Sequence, residues 1–462
     1  MNDSVHGASF RDPSGFMFAR NGALYRQINQ CYAPDYTLLV ESGLYAELVR
    51  LKLLVPHEEV DIGTTISPAF RIIRPDLVPY ISYPYEWSFS QLKDAALLTL
   101  EIEELSLKFG LSLKDATAYN VQFVGCRPVF IDTLSFETYT EGSPWVAYRQ
   151  FCQHFLGPLA LMTYTDVRMR NLLRSYIDGI PLDLTTSLLP FRTRFRYGLL
   201  AHLHLHAASQ RRHQDDARKS GLLRTPRIKK TMLLALIQSL KNAIMSCNLS
   251  SSKTEWSDYY QDTNYSKEAM LAKEKLIKDL IDNYVESGET IHDLGANTGR
   301  FSRIVSNNER EIVSHDIDEL AVERNYLHNK QYNVEKVLPL VLDLTNPAPA
   351  LGWALEERMS MLERASDHVV LALALIHHLA ISNNVPLDRL AKFFCRIASK
   401  LVIEFVPKED SQVQRLLSTR KDIFPDYLPS EFESAFENLF DIVDRKAMPG
   451  TERVIYMMNR KV

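Results

Sequence analysis

Apolar and polar residues alternate differently in the two halves of the chain. In the N-terminal half, two β-rich runs flank Asn21 and Gly22, a pair that is a strong signal for a tight hairpin turn. Amphipathic helical patterns follow at 38–54 and at 90–110, and the second one ends at a glycine, which commonly terminates helices. Residues 1–160 are therefore predicted to form an α+β domain.

The C-terminal half shows an alternation of strand and helix patterns instead. Parallel strands need crossover helices, so short apolar runs separated by helical patterns are typical of a doubly wound parallel sheet. The pattern predicts a Rossmann-like α/β sheet over 256–462, preceded by a helical segment and a basic linker at 161–255. Five apolar runs carry this prediction: TIHDLG, EIVSHDID, VLPLVLDL, DHVVLALAL and KLVIEFV.

The composition narrows the class of protein. The 462 residues include 53 Lys and Arg against 57 Asp and Glu, a formal net charge of −4, which argues against a dedicated nucleic-acid coat protein but not against a local basic patch. Five cysteines without a Cys-x-x-Cys spacing predict neither a disulfide framework nor a zinc ribbon, so no metal site is expected. No secretory signal and no apolar run of membrane-spanning length are visible, which predicts a soluble, cytoplasmic protein.

One stretch departs from this even balance of charge. Residues 209–230 are rich in Lys and Arg. A run of this kind is usually a solvated linker or an exposed helix face, and the alternative is a strip that binds phosphate groups or another polyanion. The sequence leaves both interpretations open.

The most informative string follows the first apolar run of the predicted sheet. Asp293, Gly295, Asn297 and Gly299 form a turn between a predicted strand and a predicted helix. Such a turn brings backbone N–H groups and a helix N-terminus close to a ligand. A dinucleotide-binding pattern would need Gly in place of Asn297 and Arg300, and Asp293 would repel a pyrophosphate but suits a cationic ligand.

Acidic residues also end the next two apolar runs, at Asp316 and Asp343. A carboxylate at the first of these positions can accept hydrogen bonds from a ribose diol. The whole set resembles motif I and the following motifs of class I S-adenosylmethionine (SAM)-dependent methyltransferases, with Asn297 in place of the middle Gly. The resemblance implies that Ile317 lies beside the adenine and that Asp343 meets the adenine amino group. The cofactor-binding residues it implies are Asp293, Gly295, Asn297, Gly299, Asp316, Ile317, Asp343 and Leu344.

Two other interpretations of these motifs stay open at this point. Asp and Gly are frequent at ordinary strand ends for reasons of turn chemistry alone. A domain can also keep the methyltransferase fold without methylating anything. A final segment at 440–461, which resembles the antiparallel hairpin that closes the methyltransferase sheet, supports the fold but not the activity.

Three residues are candidates for the base that takes a proton from the methyl acceptor. His377 and His378 follow the fourth apolar run, at the mouth of the expected cleft, and histidine titrates near neutral pH. A structural or substrate-shaping role for this pair is the alternative. Glu404, near the end of the fifth apolar run, is a second candidate, because a carboxylate there is costly unless it is used or paired.

A second constellation lies in the N-terminal half. Asp115 and Asn120 have the spacing of a protein-kinase catalytic loop, and Asp132 follows at the end of an apolar run. The string resembles the kinase-like fold, which implies that Asn120 and Asp132 would hold Mg²⁺ with ATP and that Asp115 would orient an acceptor hydroxyl. The His-Arg and Phe-Gly residues that flank these acids in kinases are absent, and Arg26 is a poor substitute for the strand lysine. These departures favour a degenerate kinase fold that binds a substrate or partner, and they leave an active kinase and a chance match open as alternatives.

The order of the two halves resembles nodulation-type and polysaccharide-associated methyltransferases with an N-terminal extension. This resemblance implies a SAM-dependent methyltransferase with a kinase-like accessory module, and it suggests a glycan or another metabolite as acceptor without identifying it. A bifunctional kinase–methyltransferase that modifies a hydroxyl acceptor is one alternative. A SAM-binding scaffold without enzymatic activity is another.

Overall fold

The structure is a computed structural model, and it describes residues 4–63, 68–208, 227–249, 267–418 and 421–461. The chain divides into two compact units. The N-terminal unit comprises 1–123, 128–251 and 352–358, and the C-terminal unit comprises 124–127, 252–351 and 359–462. The helices of the segment predicted at 161–255 belong to the N-terminal unit, whereas most of its basic stretch, 209–226, lies outside the described residues.

The described part of the N-terminal half has two short strand pairs besides an antiparallel sheet in the order β1-β2-β3-β5-β4. β6 pairs with β9, and β7 pairs with β8. The strands are β1 Ser4–Val5, β2 Gly15–Arg20, β3 Ala23–Ile28, β4 His57–Glu59, β5 Arg71–Pro75, β6 Leu111–Leu113, β7 Val121–Val124, β8 Arg127–Phe130 and β9 Phe136–Thr138.

Helices make up most of the remaining N-terminal unit. The longest described one buries Leu92, Ala96 and Leu100, which recur at helical spacing and stand on one face. The helices are α1 Ala33–Glu41, α2 Leu44–Arg50, α3 Phe89–Lys108, α4 Tyr148–Phe151, α5 Gly157–Tyr164, α6 Leu172–Ser175, α7 Leu182–Leu188, α8 Tyr197–Leu199 and α9 Lys230–Ser246.

Local sequence explains two features of this unit. Asn21 and Gly22 both have positive φ, so the predicted hairpin forms between β2 and β3 with Arg20 opposite Ala23. The helical pattern predicted over 38–54 is divided into α1 and α2 at Gly43, whose φ of 86° no helix interior accepts.

The C-terminal unit is built on a seven-stranded sheet in the order β12-β11-β10-β13-β14-β16-β15. β10 to β14 run parallel, and β16 pairs antiparallel with both β14 and β15. The predicted methyltransferase-type sheet is confirmed, including its closing hairpin. The strands are β10 Ile291–Leu294, β11 Ile312–Asp316, β12 Val337–Val341, β13 His368–Ala372, β14 Ala398–Phe405, β15 Phe440–Ala447 and β16 Val454–Arg460.

Apolar side chains bury both faces of this sheet, as expected for parallel strands covered by helices. One face packs on α10 and α11, and the other packs on α13, α14 and α16. No described helix has both the length and the apolarity needed to cross a membrane. The helices are α10 Lys267–Tyr284, α11 Arg300–Ser306, α12 Glu319–Gln331, α13 Met361–Arg364, α14 Leu387–Ile397, α15 Ser411–Leu417 and α16 Pro429–Glu437.

Candidate functional site

The turn after β10 is left-handed at three alternate residues. Gly295, Asn297 and Gly299 have φ values of 77°, 50° and 75°. Asparagine is one of the few residues with a side chain that tolerates this conformation, because its short side-chain amide forms a hydrogen bond with the neighbouring backbone. The Asn297 Oδ1 accepts a hydrogen bond from the Thr298 N–H at 2.9 Å. Asn297 therefore maintains the backbone path that a glycine would give.

Asp316, at the end of β11, fixes this turn from the neighbouring strand. Its Oδ2 accepts from the Asn297 N–H at 2.7 Å, and its Oδ1 accepts from the Asp318 N–H at 2.9 Å. Burial raises the pKa of Asp316 to about 6, although these backbone N–H groups oppose the shift. The carboxyl group is thus held in place but is poised to change charge near neutral pH.

A pocket of about 290 Å³ opens at the carboxyl ends of β10, β11 and β12, where ligands bind in open α/β sheets. Ile317 lines this pocket and keeps 55% of its surface exposed. Asp343 is half-buried and accepts from the Thr345 N–H and hydroxyl group. Six of the eight predicted cofactor residues line the pocket: Gly295, Asn297, Asp316, Ile317, Asp343 and Leu344.

The other two predicted cofactor residues support the turn without lining the pocket. Asp293 is buried and accepts a hydrogen bond from the Ser302 hydroxyl at 2.5 Å. Burial raises the pKa of Asp293 to about 7. Gly299 directly precedes α11, and a Cβ there would lie 2.2 Å from the Asn325 side chain. Only glycine fits at this position.

Three imidazoles form a row across β11, β10 and β13. The row leads from this pocket, at the carboxyl ends of the strands, to the amino end of β13. His292 Nδ1 lies 3.0 Å from His315 Nε2, and His292 Nε2 lies 2.8 Å from His368 Nδ1. Burial lowers the pKa of all three rings, for His315 to about 3, and the Arg364 cation adds to the shift at His292 and His315. His315 also lines the pocket, and its buried Nδ1 has no partner among the described residues. We call these three residues the histidine row.

Glu404 lies in a cluster of buried charges at the end of β14. Its Oε2 is 2.5 Å from Lys273 Nζ and accepts from the Ala374 N–H at 2.8 Å, and Arg453 lies 3.5 Å from its Oε1. Arg453 also makes a bidentate contact with Asp410. Glu404 has no solvent-exposed surface, so its charge is compensated by the two cations.

The two histidines predicted as a pair lie at the start of a helical turn, and their side chains have different surroundings. His378 is half-buried and lines the pocket, and burial lowers its pKa to about 4. His377 is fully buried, with neither ring nitrogen hydrogen-bonded among the described residues, and burial lowers its pKa strongly. The expectation that both face the cleft is therefore met only by His378, because adjacent residues in a helical turn point in different directions.

Sequence reasoning missed Lys273, Arg453 and the histidine row. One signal was present: Lys273 stands at the spacing of the buried stripe of α10, between Met270 and Ile277. A charge at a core position requires a buried partner. Nothing in the sequence pairs it with Glu404, because that contact spans 131 positions.

The kinase-like residues of the N-terminal unit lie close together. Asp132 is 2.5 Å from the Arg26 guanidinium, and its other oxygen accepts from the Ser135 hydroxyl. The Asn120 amide donates to the same hydroxyl at 3.0 Å. Burial raises the pKa of Asp115, and the neighbouring Asp132 charge adds to that shift.

A comparison with known proteins finds nodulation protein NoeA of Rhizobium meliloti (strain 1021), which is 35% identical over 463 residues. The match covers 98% of this chain and 95% of NoeA. The chain belongs to the NoeA family. The relation to nodulation-type proteins inferred from the sequence is thereby confirmed.

Two solved structures are similar to part of this NoeA-family chain. Magnesium protoporphyrin IX methyltransferase (ChlM) of Synechocystis PCC 6803, with bound SAH, is 15% identical over 45% of this chain and 93% of its own, with a TM-score of 0.31. The N-methyltransferase NodS of Bradyrhizobium japonicum WM9 is 9% identical over 43% of this chain and 99% of its own, with a TM-score of 0.31. No family model matches the chain.

Proposed function

We propose that this protein is a SAM-dependent methyltransferase that binds SAM in the pocket at the carboxyl ends of β10, β11 and β12. The observation that carries the proposal is the half-buried Asp316 carboxyl group at that pocket, held by two backbone N–H groups. A carboxylate fixed in this way is an acceptor for the two hydroxyls of a ribose. The strand order of the sheet supports the same assignment.

The other pocket residues suit the remaining parts of SAM. Ile317 and Leu344 offer apolar surface to an adenine, and Asp343 offers an acceptor to the adenine amino group. The orphaned Nδ1 of His315 is a buried polar atom that a bound ligand would satisfy. Beneath the turn, Asp293 becomes a favourable neighbour when a cationic ligand approaches, because such a charge favours its ionised form.

Bound SAM would supply a methyl group on a sulfonium for in-line displacement, so the chain has to align the acceptor and dispose of its proton. His378 suits the second task, because it lines the pocket and its lowered pKa keeps the imidazole neutral. Glu404 is paired with Lys273 and Arg453, which suits a positioning residue better than a base. His377 would shape the pocket from behind His378.

Calorimetric titration of the full chain with SAM and with SAH tests the cofactor assignment. We expect both to bind, and we expect Asp316→Asn to weaken both. Asp388→Asn is a matched control, because Asp388 is an exposed carboxylate on α14. Absence of binding for SAM and SAH in the unaltered chain would contradict the proposal. Binding without turnover on any acceptor would favour the scaffold alternative.

The acceptor that we propose to test first is a glycan, in line with the resemblance to polysaccharide-associated methyltransferases. With an acceptor that supports turnover, His378→Ala should lower kcat by about 10²–10⁴ and leave the SAM affinity nearly unchanged. His378→Asn distinguishes a base from a shape-filling residue. Asparagine can replace the shape of the side chain but not its basic nitrogen, so activity is retained only if His378 is not the base. Retained activity and an unchanged pH–rate profile in His378→Asn would exclude the base role.

We further propose that the N-terminal unit is an accessory module and does not transfer phosphate. The Arg26 guanidinium is paired at 2.5 Å with Asp132, the carboxylate to which the kinase resemblance gives Mg²⁺. A fixed cation at that oxygen opposes a second cation electrostatically.

A thermal-shift experiment with ATP and Mg²⁺ tests this second proposal. A ligand that binds only the folded state raises Tm by mass action. We expect no shift for the unaltered chain. A shift that Asp132→Asn abolishes would favour the bifunctional kinase–methyltransferase instead.

A further inference from the structure

Three aromatic side chains protrude from a short stretch of the N-terminal unit. Phe191, Phe195 and Tyr197 keep 68%, 78% and 80% of their surfaces exposed. A single exposed aromatic residue needs no explanation, but three within seven positions form an apolar patch of the kind that marks an interaction site.

Buried contacts anchor the backbone that carries these three rings. Between the exposed rings, Thr193 is fully buried and its hydroxyl contacts His204 Nε2 at 2.9 Å and donates to the Pro190 carbonyl at 2.8 Å. Directly after the rings, Gly198 lies so close to Ala243 of α9 that a Cβ would approach it to 2.7 Å. The rings are therefore presented by an anchored segment of the fold.

Three arginines alternate with these rings: Arg192, Arg194 and Arg196 are all exposed. Within the described part of the chain, none of them has a carboxylate partner. Residues 184–214 contain no Asp or Glu at all. The chain as a whole carries a formal charge of −4, so this positive region stands out against its average. We call these six residues the aromatic–arginine patch.

We infer that the aromatic–arginine patch docks this protein peripherally on an anionic lipid surface. Aromatic rings partition into the interface between headgroups and acyl chains, and arginines beside them are attracted to anionic headgroups. No described helix can span a bilayer, so the docking would be reversible and would depend on lipid composition.

Two other occupants fit the patch less well. A second copy docked face to face would place the three arginines of each copy against those of the other, which like charges oppose. Stacking of nucleic-acid bases needs free ring faces. At Phe191 such a face is partly occupied, because the Arg194 guanidinium lies over this ring at 5.3 Å and Phe195 meets the same ring at 5.6 Å in a T-shaped contact. Insertion into a lipid interface does not require a free face.

Cosedimentation of the full chain with lipid vesicles tests this inference. Vesicles of phosphatidylcholine alone are compared with vesicles that contain roughly one third phosphatidylglycerol, at low and at high salt. We expect binding to the anionic vesicles that weakens with salt. Each Arg→Gln change at 192, 194 and 196 should lower the partition coefficient about fivefold, and the triple variant about a hundredfold.

A second variant, which carries Phe191→Ser, Phe195→Ser and Tyr197→Ser, should also lose binding, because it removes the apolar part of the patch. Tyr332→Ser and Lys392→Gln are matched controls, since both residues are exposed on the C-terminal unit, and they should bind like the unaltered chain. The inference is wrong if the unaltered chain does not prefer anionic vesicles, or if both triple variants bind as it does. It is also wrong if the variants change only the oligomeric state or binding to an RNA oligonucleotide.

Discussion

Replacing Asp316 by Asn should weaken SAM binding in a way that depends on pH. The amide keeps the size of the side chain, and its oxygen can still accept one of the two backbone N–H groups at 2.7 and 2.9 Å. What it loses is a charged acceptor for the ribose. Hydrogen bonds to a charged group contribute about 1.5–3 kcal/mol, which corresponds to a Kd roughly 10- to 150-fold higher at about pH 8.

The pH dependence follows from the raised pKa of Asp316, about 6. At about pH 5 roughly nine-tenths of the unaltered carboxyl groups are protonated, so the difference in Kd between the two proteins should shrink by about tenfold. Calorimetric titrations of both proteins across this range measure the ratio directly. Titration of SAM itself cancels in that ratio, whereas Asp293 adds a contribution of its own, because the Asp316 charge raises the pKa of Asp293. A ratio that stays constant between the two pH values would refute the assignment of Asp316 to the ribose.

The same group should make the stability of the unliganded fold depend on pH. The folded pKa of about 6 lies above the ordinary value of 3.8, so the folded state holds this proton more tightly than the unfolded state. The resulting stability is fully present below about pH 4 and is lost as the pH rises through about 6. Relative to Asp316→Asn, the free energy of unfolding should fall by about 3 kcal/mol over that range. Parallel urea titrations of the two proteins measure this difference, and parallel pH curves would contradict the burial argument.

Two further substitutions test how the site is held together. Gly299→Ala forces a Cβ to within 2.2 Å of Asn325 at a φ of 75°, and should lower the free energy of unfolding by about 2 kcal/mol or more. Gly450→Ala is its control, since Gly450 has a similar φ of 73° and no neighbour within 4 Å; equal urea midpoints for the two variants would show that the Asn325 contact is irrelevant. Lys273→Met leaves Glu404 without its nearest cation and should cost about 3–5 kcal/mol in urea unfolding. Adding Glu404→Gln should recover part of that loss, and additive costs would argue against a coupled pair.

The sheet of the C-terminal unit could be predicted from the sequence because each strand is short, apolar and followed by a helical pattern. The turn at Gly295, Asn297 and Gly299 could also be predicted, because its conformation depends on residues adjacent in the chain. The placement of Asp316 and Asp343 at the site could be predicted because the carboxyl ends of parallel strands meet at one edge of a sheet.

The charge cluster and the histidine row could not be predicted in the same way. The contact between Lys273 and Glu404 joins a helix to a strand 131 positions away, and the sequence gives no register for such a pair. His292 and His315 meet because β10 and β11 are paired in a register that sets His292 opposite Val313, two residues before His315. Strand alternation alone places the side chains of His315 and Asp316 on opposite faces. It does not reveal what either one touches.

The histidine row couples the tautomer of His315, at the pocket, to the tautomer of His368. All three rings have lowered pKa values, so each neutral imidazole carries one proton on one nitrogen. Each N–H···N contact holds one proton, so only two arrangements satisfy both contacts, and in each of them all three rings point the same way. A ligand that accepts from His315 Nδ1 selects one arrangement, and a ligand that donates to it selects the other. The far nitrogen of the half-buried His368 then becomes an acceptor or a donor accordingly, so the tautomer at one edge of the sheet reports what is bound at the other.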